Sequence, residues 1–424
     1  MKLRRNKRLD IERLQASSDW RTDMGKTFIA AKMMSHLSSS LPFFRKSGLR
    51  LAAAMAACLP LLAGTGASAE ETLKFGVATP LTGPSALFGL DQIQAVRWAA
   101  DDINARGGVN GRKLEAVIAD HQTKPEVGIA VVNKLISVDK VPVFVAAFSN
   151  VVKAVAPTAN REKVLMLSVG ANSPEVKNLG DYVYTMFPLA DIDMKALGTY
   201  LVTKRGKKRA AVLYVNDETG IEGAKVFAQS FKDAGGDVVL KESYEGSRSD
   251  FTGLVLEVQA ANPDVVHIHS AVSDFTNIVA QMRQLGITTQ VTSYQTAFNP
   301  KMVQQLGAGA EGIIITAMAP SAEDNPNVAG YLDRWQKEFH REPMGLPYTQ
   351  YFHDAPYVIA ALYKKLLDQN LPLTGENMRK ALLEIKSFPL PLTTNITFKD
   401  DHSVDALTYF WEVKNGRFEV IGKQ

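Results

Sequence analysis

The chain has 424 residues, 46% of them apolar and 22% charged, with a formal net charge of +4 and one cysteine. That balance is globular, too apolar for a disordered chain, and a single thiol excludes a disulfide framework or a cysteine-based metal centre. The first 69 residues carry 12 of the 48 basic and 4 of the 44 acidic side chains, so the other 355 hold 36 basic against 40 acidic, net −4, which argues against a nucleic-acid surface.

Leu51–Gly64 reads LAAAMAACLPLLAG, behind Arg45, Lys46 and Arg50 and ahead of Ala67-Ser68-Ala69. A basic flank, a short apolar core and a small-x-small site describe a secretory signal peptide cleaved after Ala69, and the run is short for a membrane span. Met55-Ala-Ala-Cys58 loosely matches a lipid-attachment site, but the apolar core continues through LPLLAG, so a soluble periplasmic protein is expected. The one cysteine departs with this leader.

From Leu73 short apolar runs alternate with longer amphipathic stretches. The predicted strands are KFGVAT, LEAVIAD, VPVFVAAF, KVLMLSV, RAAVLYV, DVVLKE, DVVHIH and GIIITAM. Helical spacing puts Ile93, Val96, Ala100 and Ile103 on one face, then Val226 with Phe231, then Val279, Met282 and Leu285. Gly107-Gly108 and Gly235-Gly236 supply turns at the same place in two strand-helix-turn-strand units. Three helical stretches follow Asn325, and Thr394–Ile421 returns to β-type residues. Continuously apolar strands separated by helices imply parallel sheets covered on both faces. The fold class is α/β, and the length fits two domains.

Residues 75–89 form a strand, a glycine-punctuated turn and a helix, the local shape of a phosphate loop. Gly83 and Gly89 are six apart, Pro84 intervenes and no Lys-Ser/Thr follows, so an ordinary strand-helix turn is expected. Ser168-Val-Gly170 lacks the first glycine of a nucleophile elbow. His267 and His269 flank Ile268 on one strand face without a third metal ligand, which predicts a buried, hydrogen-bonded His267. His340, His353 and His402 are expected to face solvent. No catalytic constellation, metal site or cofactor is expected.

In parallel α/β sheets ligands bind beyond the carboxyl ends of strands, beside helix N-termini. Those loops are Thr82–Phe88, Ser149-Asn150 and Gly170-Ala171-Asn172-Ser173. Uncharged hydroxyls, amides and backbone N–H groups at helix starts suit a carboxylate or carbonyl, and Phe88 adds an apolar wall.

PLTGPSALFG, AADDINARGGVNGRKLEAVIAD, FSNVVKAVAPTANREKVLMLSVGANSP, DFTGLVLEVQAANPDVV and GAEGIIIT followed by YFHDAPYVIAAL occur in this order behind a signal peptide. Over Leu73–Ile421 the chain resembles the periplasmic binding proteins of the branched-chain amino acid type, which serve ABC importers. The resemblance implies a type I fold of two lobes, 70–190 with 322–390 and 191–321 with 391–424, that clamp a small organic solute. It also implies a monomer that meets the permease subunits in the inner membrane and performs no catalysis. Ser149 matches the family's hydroxyl position, Gly170 and Asn172 its carboxylate grip, Phe88 its aromatic contact, and Asp191-Ile-Asp193 a carboxylate motif that faces the ligand ammonium. In the second lobe Thr219 stands where Tyr-Gly is usual, Ala271 replaces a Tyr, and Gln295 replaces a Glu, with Tyr294 beside it for stacking. A branched-chain or other hydrophobic amino acid is the default ligand; an aromatic or aliphatic carboxylate, an amide or a urea-like solute is the alternative, since a neutral Gln295 removes a charge-assisted hydrogen bond. The same fold would also serve a ligand-sensing module that presents its closed form to a receptor.

Overall fold

The computed structural model describes residues 72–424 apart from Ala319; the leader, Cys58 and the Ala69 cleavage site lie outside the described residues. Five strands, β1 (Leu73–Thr79), β2 (Leu114–Asp120), β3 (Val143–Ala146), β4 (Leu165–Ser168) and β5 (Val183–Thr185), form a parallel sheet ordered β2-β1-β3-β4-β5. Successive residues face opposite sides of a strand. Val143 and Val145 accordingly pack with α1 (Ala86–Ala105), while Phe144 and Ala146 pack with α2 (Pro125–Ser137) and α3 (Ser149–Glu162). Both faces of the central strands are covered, which is why Val143–Ala146 and Leu165–Leu167 are continuously apolar, whereas the edge strand β2 keeps Glu115 exposed.

The chain then crosses through α4 (Ala190–Thr203) to a second sheet of β6 (Arg209–Val215), β7 (Asp237–Tyr244), β8 (Val265–His269), β9 (Gln290–Ser293) and β10 (Ile314–Ala317). The full order is β14-β13-β10-β9-β8-β6-β7. β13 (Tyr409–Lys414) and β14 (Arg417–Lys423) are antiparallel additions at one edge. α4 and α5 (Glu218–Asp233) cover one face. α6 (Thr252–Ala261), α7 (Val272–Gln284) and α8 (Pro300–Leu306) cover the other.

After β10 come α9 (Pro326–Phe339), α10 (Leu346–Asp368) and α11 (Gly375–Ile385). α10 packs along α1 on the first sheet, and a small hairpin of β11 (Ser387–Leu390) and β12 (Thr394–Thr397) precedes the return to β13. The chain passes between the sheets after β5, after β10 and after β12.

Ile93, Val96, Ala100 and Ile103 are buried as their spacing requires, as are Phe231, Val279 and Met282. Leu285 is instead exposed, because it is the C-cap of α7 and lies past the last turn that packs on the sheet. His353 differs from expectation more sharply. It is buried, with Nδ1 2.9 Å from the Asp354 carboxylate, because the middle of α10 lies inside the molecule. His402 is half-buried, stacked on Tyr184 at 4.2 Å and bonded to the Val183 carbonyl oxygen. His340 does face solvent.

Candidate functional site

The loop after β1 does not form a phosphate cradle, and its backbone shows why. Leu81 N–H and the Thr82 hydroxyl donate to the two oxygens of Asp120, at 2.8 and 2.6 Å. Asp120 lies at the end of the neighbouring strand, so the loop's donors already hold a carboxylate of the chain itself. Burial raises that carboxyl, but hydrogen bonds from Thr82, Leu81 and Gln122 outweigh it and hold it below the usual range. Gly89 is a packing glycine: a Cβ there would lie 1.6 Å from the Pro80 carbonyl oxygen, so only glycine lets α1 start this close to the loop.

Phe148, an aromatic residue at φ +68°, immediately precedes Ser149 at the start of α3. Such a conformation is costly for a bulky side chain and marks a position fixed by its surroundings. Ser149 Oγ accepts N–H groups from Asn172 and Ser173, each at 3.3 Å, and the Thr219 hydroxyl at 3.1 Å. Thr219 belongs to the other sheet. It is in the first turn of α5, whose N-cap Asp217 accepts Gly220 N–H at 2.8 Å. The next residues extend the contact. Lys153 Nζ is 3.2 Å from both Glu218 carboxylate oxygens, and the Ser173 hydroxyl donates to Glu218 at 3.3 Å. Ser149, Asn172 and Thr219 are therefore brought together, and the carboxyl edges of the two sheets meet at this point.

A second meeting point involves α10. Thr296 Oγ1 and the Tyr348 hydroxyl are 3.1 Å apart, and the Tyr348 ring stacks on Phe187 at 4.8 Å. Phe88 lies on this side: a Cβ on Gly345, which has φ +64°, would sit 2.8 Å from the Phe88 ring and 3.2 Å from Tyr348. A Cβ on Gly170 would meet Phe352 and Tyr348 at 3.5 and 3.7 Å. Phe88, Gly170, Gly345 and Tyr348 thus form one wall. The loop before Gly345 is pinned by Asp91, buried on α1, which takes both guanidinium arms of Arg341 at 2.6 and 2.7 Å and the Met344 N–H at 2.7 Å.

Tyr294 stacks face to face on His269 at 3.8 Å. His269 Nδ1 is 3.2 Å from His267 Nε2, and His267 Nδ1 is 3.2 Å from the Thr292 hydroxyl. Burial drives both rings toward the neutral form, His269 down to about 3 and His267 well below its ordinary value, where the neighbouring His269 adds to the effect. The buried, hydrogen-bonded His267 agrees with the sequence reading. Gln295 follows Tyr294 in a short 3-10 turn and is fully buried.

Other expected contacts lie elsewhere. Asn150 is exposed, and its amide donates to the Thr123 carbonyl at 3.2 Å. Ala171 is packed in the core beneath α2 and α3. Asp191 pairs with Lys177 at 2.5 Å, and that hydrogen bond raises the Lys177 ammonium. The buried carboxyl of this helix start is Asp193, which accepts the Thr316 hydroxyl at 3.0 Å; its second oxygen has no protein partner. Desolvation pushes it up to about 7. Both atoms of the Asn172 amide and both of the Gln295 amide are buried without a protein partner as well.

Sequence reasoning missed Lys153, Glu218, Thr296 and Tyr348. Complementary charge at the starts of two helices was the available signal for the first pair. For Tyr348 the local residue pattern offered none; only the family resemblance, which groups 322–390 with 70–190, carried α10 back to the first sheet. A cavity of about 310 Å³ lies at the crossing segments, lined by Met318, Pro320, Tyr351, Thr393, Leu407 and Tyr409 among others; Tyr351 packs edge-on against Phe187, the ring on which Tyr348 stacks. Among the described residues no cluster of His, Cys, Asp or Glu could hold a metal ion, and no helix is long and apolar enough to cross a membrane.

Comparison with known proteins places this arrangement. The chain is 26% identical over 357 residues to a leucine-, isoleucine-, valine-, threonine- and alanine-binding protein of Pseudomonas aeruginosa, covering 83% of this chain and 93% of that one. The branched-chain amino acid transporter substrate-binding protein of Streptococcus pneumoniae, solved with isoleucine, superposes with a TM-score of 0.73 at 22% identity, covering 84% and 99%. A solute-binding protein of an ABC transporter from Rhodopseudomonas palustris, solved with 3,4-dihydroxybenzoic acid, superposes with a TM-score of 0.73 at 20% identity, covering 83% and 97%. The family model described as periplasmic binding protein matches residues 72–417, and the chain belongs to that family.

Proposed function

We propose that this chain is the extracytoplasmic solute-binding component of an ABC importer, closing two lobes around a small organic solute and presenting it to permease subunits in the inner membrane. The observation that carries the reading is the meeting of the two sheets' carboxyl edges through Ser149 and Thr219, flanked by buried polar groups without protein partners. Backbone and hydroxyl donors at helix starts suit the polar end of a solute, and the wall of Phe88 and Tyr348 suits an apolar tail. Hinge closure requires no covalent step, so the protein binds and releases its solute unchanged. We assign the lobes to 70–190 with 322–390 and to 191–321 with 391–424, working as a monomer in the periplasm after cleavage at Ala69.

The relatives' ligands make a hydrophobic amino acid the default. A second reading, an aromatic or aliphatic carboxylate or an amide, is supported by Gln295 in place of an acid and by Asp191 being occupied with Lys177. A thermal-shift screen against amino acids, aromatic acids and amides tests the function, because a ligand bound only by the folded state raises the melting temperature. Saturable stabilisation by one class supports the reading, and no stabilisation by any of them contradicts it.

A further inference from the structure

Asn172 and Gln295 have a feature in common that selects among solutes. Asn172 follows β4 in the first sheet, and its N–H is held by Ser149, which also accepts Thr219 from the second sheet. Gln295 follows β9 in the second sheet, next to Thr296, which meets Tyr348 of the wall on the first sheet. The two primary amides therefore sit at the two facing edges, at 2% and 0% exposure. Neither the oxygen nor the nitrogen of either one has a protein partner.

A buried amide left in this condition loses its hydration without compensation. Each presents an acceptor and a donor side by side. A carboxylate, which only accepts, satisfies the amide nitrogens and leaves both oxygens unmet. An ammonium, which only donates, satisfies the oxygens and leaves both nitrogens unmet. A zwitterionic amino acid, with one end on each amide, still leaves half of the atoms unpaired, and its ammonium finds a neutral oxygen in place of a carboxylate. A planar carboxamide or ureido group pairs both atoms of one amide in a ring of two hydrogen bonds, and its second N–H and second carbonyl lone pair remain for the oxygen and nitrogen of the other amide.

From this complementarity we infer that Asn172 and Gln295 are the specificity-determining pair of the cleft and that the solute presents a carboxamide or ureido group to them. The inference rests on the proposed solute-binding function and deepens it. The apolar part of the solute lies toward the wall of Phe88 and Tyr348, so a carboxamide with a branched or aromatic tail is the fitting class.

The test is calorimetric titration of the purified protein with matched sets that differ only in the polar end: 3-methylbutanamide, 3-methylbutanoate and leucine, then benzamide and benzoate. The amide of each set is expected to bind at least tenfold more tightly than its partners. Gln295→Leu and Asn172→Leu should each cost amide affinity tenfold or more while leaving the melting temperature of the protein alone unchanged or raised, since each removes an unpaired buried amide. A purely structural role for these side chains would lower it. Gln295→Glu, nearly isosteric, should weaken the amide and narrow the gap to leucine.

Tighter binding of leucine or of a carboxylate overturns the inference while leaving the solute-binding function intact, as does amide binding that survives both leucine variants. If no compound of any class binds, the proposed function fails and the inference fails with it.

Discussion

Substituting Asn for Asp193 isolates a buried carboxyl whose charge the fold disfavours. The side chain is fully buried, accepts one hydroxyl from Thr316 and has no partner for its second oxygen. Desolvation raises its pKa from 3.8 to about 7. In the unfolded chain the carboxyl ionises near 3.8; in the fold it stays protonated until about 7. The unfolded state thus binds fewer protons across this window, and stability falls as pH rises through it. At 1.36 kcal/mol per unit, the neutral isostere should exceed the parent protein by roughly 4 kcal/mol at pH 8, with little difference at pH 3.5. Urea unfolding of both proteins from pH 3.5 to 8.5 measures this, and taking the difference cancels every other titrating group. A difference that is flat with pH, or one in which Asn becomes more destabilising as pH rises, would refute the reasoning, because either requires a carboxylate that the fold favours.

Other predictions follow from the same contacts. The histidines act in the opposite direction to Asp193: His269, held neutral down to about 3, contributes stability that is present above 6.5 and lost as pH falls through that window. His269→Gln should therefore show a shallower loss of stability than the parent between pH 6.5 and 4, read by thermal melts. Ser149→Ala leaves the N–H groups of Asn172 and Ser173 and the Thr219 hydroxyl without their shared acceptor. It should lower stability by about 1–3 kcal/mol and weaken binding of any solute found in the screen, as calorimetry would register. Glu218→Gln removes the charge that Lys153 meets across the two sheets. It should weaken solute binding by less than about 1 kcal/mol, and the parent's affinity should approach the variant's as salt is raised.

Strands covered on both sides were legible where they are apolar at every residue, as in Val143–Ala146, and helices on a sheet where apolar residues repeat three or four apart, as in Ile93–Ile103. β5 (Val183–Thr185) and β9 (Gln290–Ser293) were not, being short and interrupted by Thr185, Gln290, Thr292 and Ser293. The edge loops were legible for a topological reason: parallel strands put their carboxyl ends together, so Ser149 and Asn172 had to be neighbours. What spans two elements was not. Asp191 and Asp193 are two residues apart on a helix start, and only the position of Lys177 and Thr316 decides which is paired at the surface and which is buried. Likewise Asn150 differs from Ser149 by one step, but a step at a helix start turns the side chain about 100° away, toward Thr123 and solvent. His353 reads as an ordinary helical polar residue until α10 is seen buried along α1.

The claim that a solute is clamped between the two sheets is tested most directly by hydrogen exchange followed by mass spectrometry, with and without a compound that raises the melting temperature. Closure around the solute should slow exchange at both edges together, over 149–153 and 170–173 on the first sheet and over 217–223 and 294–296 on the second. Protection confined to one sheet, or to the groove lined by Met318 and Leu407, would contradict it.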